Sequence, residues 1–470
     1  MSREGKLAKN TLIIAIGTFL PKLASFVTLP ILTGCLTKAE YGTYDLITVL
    51  VSLLLPAATL QIQAAAFRFL IEVRHNEKEI KSLITNIACF IAPTSLIALL
   101  ILFFVLFKQT ILVRIFICLY FLADILVNAA RQVCRGIGKN LDYSISAILS
   151  SVSNMIFAIT FVYWLKAGLL GTVIAVFAAS LCSLMFLIIK VKLYRYIDIK
   201  CFSIPKLKEM LNYSWPMVPN SMSGWVMRVS DRFVVTAFMG VGANAVYSVA
   251  NKIPSLLTLA LTTFSMAWQE NATIVLKDSD SAEYYSSMYK TLFYIIAGFF
   301  GVLIAFTPLL FKILIKGEYD EAYNQMPILF MAMVFYTMSS YIGGIYMAYK
   351  DSRSVGWTTA AAAASNIIID LASIKYIGLY AASLSTLISY ILLLLFRIKD
   401  IKKYVVLKLD HIKLFGVLFL LIIECGLYYF RSLYCNILNM IIGTILLIAL
   451  NKNLINMAIK RSVLIIKRIN

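Results

Sequence analysis

The stretch Trp225–Ser248, WVMRVSDRFVVTAFMGVGANAVYS, sets Arg228, Asp231 and Arg232 along about one helical turn between long apolar runs. A charge at the centre of a bilayer costs roughly 2.5 to 3.5 kcal/mol on insertion scales, so three together require a partner, a polar cavity or a place outside the membrane. The surrounding composition narrows the choice. Of 470 residues, 61% are hydrophobic and 14% charged, and the mean hydropathy is +0.86. Soluble domains do not carry that balance, and the chain reads as a polytopic membrane protein.

A membrane-crossing helix needs about 20 predominantly apolar residues. Runs of that kind centre on 12–34, 42–66, 83–107, 111–133, 144–165 and 168–189, then on 211–239, 244–270, 286–311, 325–349, 355–374 and 379–396, and last on 413–430 and 435–451. These predict an all-α integral membrane fold of about 14 spans. Cations gather in cytoplasmic connectors, so their distribution orients the spans. With the N-terminus inside, the inner side receives 31 of the 43 Lys and Arg and the outer connectors 8. Both termini are therefore expected in the cytoplasm, and most of the net charge of +20 is explained as topology. The basic start MSREGKLAKN has no small-residue cleavage site after its apolar run and is expected to lead into a retained first helix.

Internal self-similarity sets the architecture. An offset of 203 pairs Tyr44, Ser52, Leu53, Leu54, Ala57, Thr59 and Ala64 with Tyr247, Ser255, Leu256, Leu257, Ala260, Thr262 and Ala267. Offsets of 210 to 212 pair Lys139 with Lys350, Ser153-Asn154 with Ser365-Asn366, and Gly168-Leu169 with Gly378-Leu379. Six spans per half is an even number, so the halves enter the membrane from the same side, and a pseudo-two-fold along the membrane normal is expected to relate them. The expected organisation is a six-helix lobe over 1–190, a cytoplasmic linker over 191–208, a second lobe over 209–400, and two additional helices with a basic tail over 401–470.

Several function classes lack their residues. No Lys/Arg run is interleaved with stacking aromatics, which argues against nucleic acid. The eight cysteines form no CxxC pair, and His75 and His411 both lie in charged connectors, so neither a metal site nor His-based catalysis is expected. No GxxxxGK[ST] loop is present, so coupling to ATP within this chain is not expected, nor is any cofactor. The outer connectors are short and hold no His, unlike a membrane glycan polymerase or acyltransferase with catalytic residues on a large outer loop.

What remains is charge inside spans. Lys22, Arg228, Arg232 and Lys252 are the four cations left there, on runs interrupted by Pro21, Pro30, Pro216, Pro219, Gly224 and Pro254. Two-lobed transporters bind substrate near the midplane on helices broken in this way. The four cations are thus candidates to line a central cavity for an anion. The competing reading pairs Arg228 with Asp231 at i,i+3 and lets Lys252 snorkel outward. Asp231, Arg68 and Glu270 are candidate cavity partners or gates. The other intramembrane acids are Asp45, Asp124, Asp370 and Glu424, of which Asp124 and Asp370 are candidates to hold a coupling proton or sodium ion.

The N-terminal segment KNTLIIAIGTFLPKLASFVTLPILTGCLTKAEYGTYDLITVL, with Ser25-Phe26, Leu29-Pro30 and Glu40 to Asp45, resembles the opening of bacterial polysaccharide transporters. These are the O-antigen and capsule oligosaccharide flippases of the multidrug/oligosaccharidyl-lipid/polysaccharide exporter superfamily. WPMVPNSMSGWVMRVSDRF followed by AVYSVANKI is similar to the family's seventh and eighth spans, through Pro216, Pro219, Trp225, Asp231, Arg232, Tyr247 and Lys252. Ala245 departs from the pattern, where a Gly often precedes the Tyr. The resemblance implies a lipid-diphosphate-linked oligosaccharide as substrate, moved by alternating access across the bacterial cytoplasmic (inner) membrane, whereas the residues alone argue only for an anion. A lipid-linked peptidoglycan precursor flippase shares that anionic ligand. A multidrug antiporter of the same superfamily would prefer an acidic cavity for its cationic substrates.

Overall fold

The computed structural model describes residues 17, 20–21, 24–276 and 278–469. The ordered elements among them are helical, numbered here α1 to α16. α1 (Ala24–Cys35), α2 (Lys38–Thr59), α3 (Ile62–Glu72), α4 (Glu77–Val105), α5 (Ile111–Gly136), α6 (Asn140–Ala158, continued by a π turn to Trp164) and α7 (Gly168–Val191) come first. The short α8 (Ile204–Ser214) leads to α9 (Met217–Met239) and α10 (Val241–Val275). α11 (Ser281–Leu314), α12 (Asp320–Ala348), α13 (Ser352–Ile377), α14 (Tyr380–Asp400), α15 (His411–Tyr429) and α16 (Leu433–Ile469) complete the chain. Eleven of these helices are long and apolar enough to cross a membrane: α2, α4 to α7 and α11 to α16. The runs at 211–239 and 244–270 are helical as α9 and α10 but, with their charges, are not among the eleven, and much of the first run lies outside the described residues.

Helix ends follow local chemistry. Thr37 and Glu40 form a reciprocal capping box at the start of α2, so two backbone donors that the helix cannot satisfy find oxygen acceptors. Asn76, Asp351 and Asp410 cap α4, α13 and α15 in the same sense. α9 and α10 meet at Gly240, whose φ of +88° is open to a residue without Cβ.

One expected span is divided. The run 42–66 breaks between α2 and α3 at Leu60 and Gln61, both left-handed with φ of +43° and +57°. Neither is glycine, so the break is strained, and it follows Pro56, which removes a helical hydrogen bond one turn earlier. The Gln61 amide donates to Ser221 Oγ at 3.0 Å, and the Trp225 indole N–H donates to Ser52 Oγ at 3.0 Å, tying the opening of α9 to this bend.

The chain divides into two compact units, Met1–Val229 with Leu314–Glu318, and Ser230–Ile313 with Tyr319–Asn470. The division falls inside α9, between Arg228 and Asp231. The first unit is cored by Ile62, Leu70, Ile117, Phe121 and Leu187. The second is built around α12, whose apolar window is 78% buried, as a helix apolar on every face requires. Toward its C-terminal end Trp268 stacks on Tyr341 at 4.3 Å, with the indole N–H donating to the Tyr341 carbonyl at 2.9 Å. A Cβ on Gly344 would lie 2.4 Å from that indole, so glycine there makes the close approach of α10 and α12 possible.

Candidate functional site

The polar centre of the second unit is assembled from α9, α10, α13 and α14. Asp231 on α9 is 5% exposed, and its Oδ2 accepts from the Tyr247 hydroxyl at 2.7 Å and from Thr386 Oγ1 at 2.8 Å. The Tyr247 and Thr386 hydroxyls also lie 3.5 and 2.9 Å from the Ala382 carbonyl, so each single proton has two acceptors to choose between. Ser230 Oγ donates to Asn366 Oδ1 at 3.3 Å, and Asn366 Nδ2 reaches Ser385 Oγ at 3.2 Å and Thr386 Oγ1 at 3.4 Å.

One turn beyond Asn366 on α13 lies Asp370, 0% exposed, and among the described residues neither of its carboxylate oxygens is hydrogen-bonded, nor is Asp231 Oδ1. The Asp370 carboxyl feels the charge of Asp231. Three acceptor atoms left open in an apolar helix bundle are expensive unless something positive serves them. Carboxylate, hydroxyl, carbonyl and amide oxygens are hard donors, so the set fits a proton or a small hard cation such as sodium. Among the described residues no group of three or more His, Cys, Asp or Glu is gathered, so a thiolate or imidazole metal centre does not arise there.

The sequence-predicted residues are distributed as follows. Asp231 and Asp370 belong to one polar centre, with Asp370 close enough to feel the charge of Asp231. Arg232 and Lys252 belong to the same unit, half-buried on α9 and α10, with Arg232 close enough to Asp231 for its charge to be felt. Arg228 lies on α9 in the first unit, its side chain outside the described residues, and Lys22 is itself outside them. Arg68 pairs with Glu72 one turn along α3, both half-exposed, and Glu270 is exposed near the C-terminal end of α10. Asp124 is half-buried on α5, where its backbone carbonyl accepts from Asn128 Nδ2 at 2.8 Å and its carboxylate feels Arg131 two turns along. Asp45 is buried on α2. Glu424 is 0% exposed, neither of its carboxylate oxygens is hydrogen-bonded among the described residues, and it is accommodated by Gly301, whose missing Cβ would fall 2.9 Å from Oε2.

Two arginines counted with the inner connectors prove to be inside helices. Arg131 on α5 donates to Ser146 Oγ and the Ser146 carbonyl on α6 at 3.2 and 3.1 Å, and to Ser183 Oγ on α7 at 3.0 Å. Arg397 on α14 is 4% exposed and donates to the Ser339 and Val355 carbonyls at 2.7 and 3.3 Å and to the Thr358 and Thr359 hydroxyls at 3.0 Å each. Each guanidinium thus clasps three helices of its own unit. A span-edge count misses them because helices continue past the apolar run. Tyr247 and Asn366 were visible as repeat positions, whereas Thr386 carried no signal beyond a hydroxyl in an apolar run.

The sequence profile described as polysaccharide biosynthesis protein matches residues 7–269, more than half of the chain. The chain belongs to the polysaccharide biosynthesis protein family. No curated protein sequence matches it. In fold it is similar to the lipid II flippase MurJ in an inward closed conformation, with a TM-score of 0.69 and 14% identity over 94% of this chain and 100% of the other. It is also similar to an inward-facing multidrug resistance MATE family transporter of the MOP superfamily, TM-score 0.66 and 14% identity, covering 84% and 98% of the two chains. A MOP superfamily transporter from Pyrococcus furiosus, described as having a binding pocket of reversed polarity, gives 0.56 and 14% over 84% and 95%. This polysaccharide biosynthesis family member is a multi-pass membrane protein with the fold of those transporters.

Proposed function

We propose that the chain is a flippase that moves a lipid-diphosphate-linked oligosaccharide from the cytoplasmic to the outer leaflet of the bacterial inner membrane, by alternating access between lobes 1–190 and 209–400. The observation that carries this reading is the family match over 7–269, which spans Lys22, Arg228, Arg232 and Lys252. A diphosphate carries two closely spaced negative groups, and a guanidinium fork can hold two phosphate oxygens at once. Lys22, Arg228, Arg232 and Lys252 bind that anion, Arg68 and Glu270 gate the inner mouth, and the chain keeps both termini in the cytoplasm.

The drive comes from a proton or sodium ion taken up at Asp231 and Asp370, whose open oxygens supply the differential affinity that coupling needs. Asp124, beside Arg131, is a weaker site for the same task because a cation already faces it. The test is flipping of defined lipid-diphosphate glycans in reconstituted vesicles under imposed pH and sodium gradients. Flipping that ignores both gradients defeats the coupling, and glycan-joining activity in the same vesicles defeats the transport reading. A second reading, a lipid-linked peptidoglycan precursor, is favoured by the 94% coverage of this chain in the match to MurJ; competition between the two lipid-linked substrates separates them.

A further inference from the structure

Within the first unit an apolar cavity of about 270 Å³ lies between α4, α5 and α7, walled by side chains such as Ile91, Leu126, Ala130 and Ile188. The chain after α7 closes its end. Lys192 adopts a left-handed conformation (φ +58°) and turns the chain into the short 3₁₀ segment Leu193–Tyr196, and Leu193, Tyr194 and Ile197 complete the wall. This closure is held in place by α4. Thr85 Oγ1 donates to the Tyr196 carbonyl at 3.4 Å and accepts from Asp198 N–H at 2.9 Å, Ser82 Oγ donates to the Cys201 carbonyl at 2.9 Å, and Asn86 Oδ1 accepts from Ser203 N–H at 3.2 Å. The cavity mouth is therefore preformed, and its backbone polar groups are met by α4 side chains.

The same segment alternates two kinds of exposed residue. Tyr194, Ile197, Ile199 and Phe202 are apolar or aromatic and exposed, the exposed cations Lys190 and Lys192 stand just before them, and Arg195 and Lys200 stand between them. None of these four cations is paired with a carboxylate among the described residues. Each lies within three positions of a residue that walls the cavity. Apolar side chains interleaved with cations suit the boundary between headgroups and acyl chains, where the apolar members enter the hydrocarbon and the cations meet phosphate. A second crevice of about 330 Å³, near Leu54, Ala57 and Ile101, has no Lys or Arg within three positions of its lining and offers a headgroup nothing.

We propose that the cavity and its rim are a binding site for an anionic two-chain phospholipid of the leaflet that the linker touches, one acyl chain entering the cavity and the phosphate held by Lys190, Lys192, Arg195 and Lys200. The segment joining the halves is then a membrane-surface element and not a free cytoplasmic linker. The site takes its charge preference from the rim and its chain preference from the cavity, so the two can be separated by mutation. Full-length protein, delipidated in neutral detergent, is titrated with phosphatidylglycerol or phosphatidylcholine and its bound lipids are counted by native mass spectrometry. The wild type retains phosphatidylglycerol at least roughly tenfold more tightly, a preference that shrinks with salt. The variant K190Q/K192Q/R195Q/K200Q binds both lipids alike, and Ala130→Phe, which fills the cavity, binds neither. Melting in lipid-free detergent shows whether each variant folds; should Ala130→Phe not, the four-charge variant decides alone. Equal retention of the two lipids by the wild type, or an intact preference in the four-charge variant, overturns the proposal. Displacement of phosphatidylglycerol by an equimolar polyprenyl diphosphate also overturns it, by giving the site to the carrier lipid.

Discussion

Asp370→Asn removes one of the two buried carboxylates while keeping size and shape, and two readings of Asp370 give opposite signs for it. If the pair binds a coupling cation, the wild type at a cation concentration about one hundred times its dissociation constant gains about 2.7 kcal/mol of stability. Replacing one carboxylate by an amide removes a charge-assisted contact worth about 1.5 to 3 kcal/mol, which weakens binding roughly a hundredfold at the upper end. The concentration then only equals the dissociation constant, and the gain falls to about 0.4 kcal/mol. At about 2 to 4 °C per kcal/mol for units of this size, a cation-induced rise in melting temperature of several degrees shrinks to about 1 °C. Without cation the sign reverses. Both Asp370 oxygens are buried and unpartnered, so the Asn variant melts at or above the wild type. The assay is melting of purified protein across sodium and pH series, beside gradient-driven flipping in vesicles. A variant that melts lower without cation yet keeps the full cation-induced rise refutes the argument, because Asp370 would then be structural.

Other perturbations test other levels of the structure. Arg397→Met strands two buried carbonyls and two hydroxyls and is expected to cost about 3 kcal/mol or more, seen as lost protein in the membrane; unchanged abundance would contradict the clasp. Gly344→Ala drives a methyl into Trp268, itself held by its bond to Tyr341, and is expected to cost about 1 to 3 kcal/mol in detergent melting. Asp351 caps α13, and its hydrogen bonds to Ser354, followed by Lys403, hold its carboxyl well below the usual range. A depressed carboxyl stabilises above its unfolded pKa, so Asp351→Ala should cost about 1 kcal/mol at neutral pH, and the difference from wild type should vanish only as pH falls well below about 4. In vesicles, Arg232→Lys should impair flipping less than Arg232→Gln, since Lys keeps the charge and loses the fork, and equal loss would remove Arg232 from diphosphate binding.

How far the sequence reached depends on what each feature rests on. Long apolar runs specify helices wherever they occur, and α4 to α7 and α11 to α15 lie where the apolar runs put them. The break at Leu60 and Gln61 had no glycine to announce it, because it is imposed by packing and by the Gln61–Ser221 bond. Asp231 and Asp370 were legible as charges in apolar spans. Their meeting was not, since 139 positions separate them and only the fold brings α9 and α13 to α14. The pairing of Arg228 with Asp231 at i,i+3 was the simplest local alternative; the Arg228 side chain lies outside the described residues, and Asp231 Oδ2 accepts from Tyr247 and Thr386 on other helices, partners that no local spacing announced.

The internal repeat adds a reason why the proposed ion site would belong to the second half. At the offsets that pair Tyr44 with Tyr247 and Asn154 with Asn366, two neutral members of the site have counterparts in the first half. Ala158 stands for Asp370 at the offset of 212, and Val176 for Thr386 at the offset of 210 that pairs Gly168 with Gly378, so the first half lacks one carboxylate and the hydroxyl that binds the other. The arginine clasps diverge in a different way. Ser146 and Thr358 correspond at an offset of 212 and each accepts from a guanidinium inside the helix bundle, but the arginine comes from α5 in the first unit and from α14 in the second. Packing constrains where a buried cation sits and is indifferent to which helix supplies it, so both halves keep a clasp. Ion coupling requires unpaired acceptors, which cost stability wherever they are placed. A transporter that needs one coupling site therefore has reason to keep the open carboxylates in a single half and to fill the equivalent positions of the other with Ala and Val.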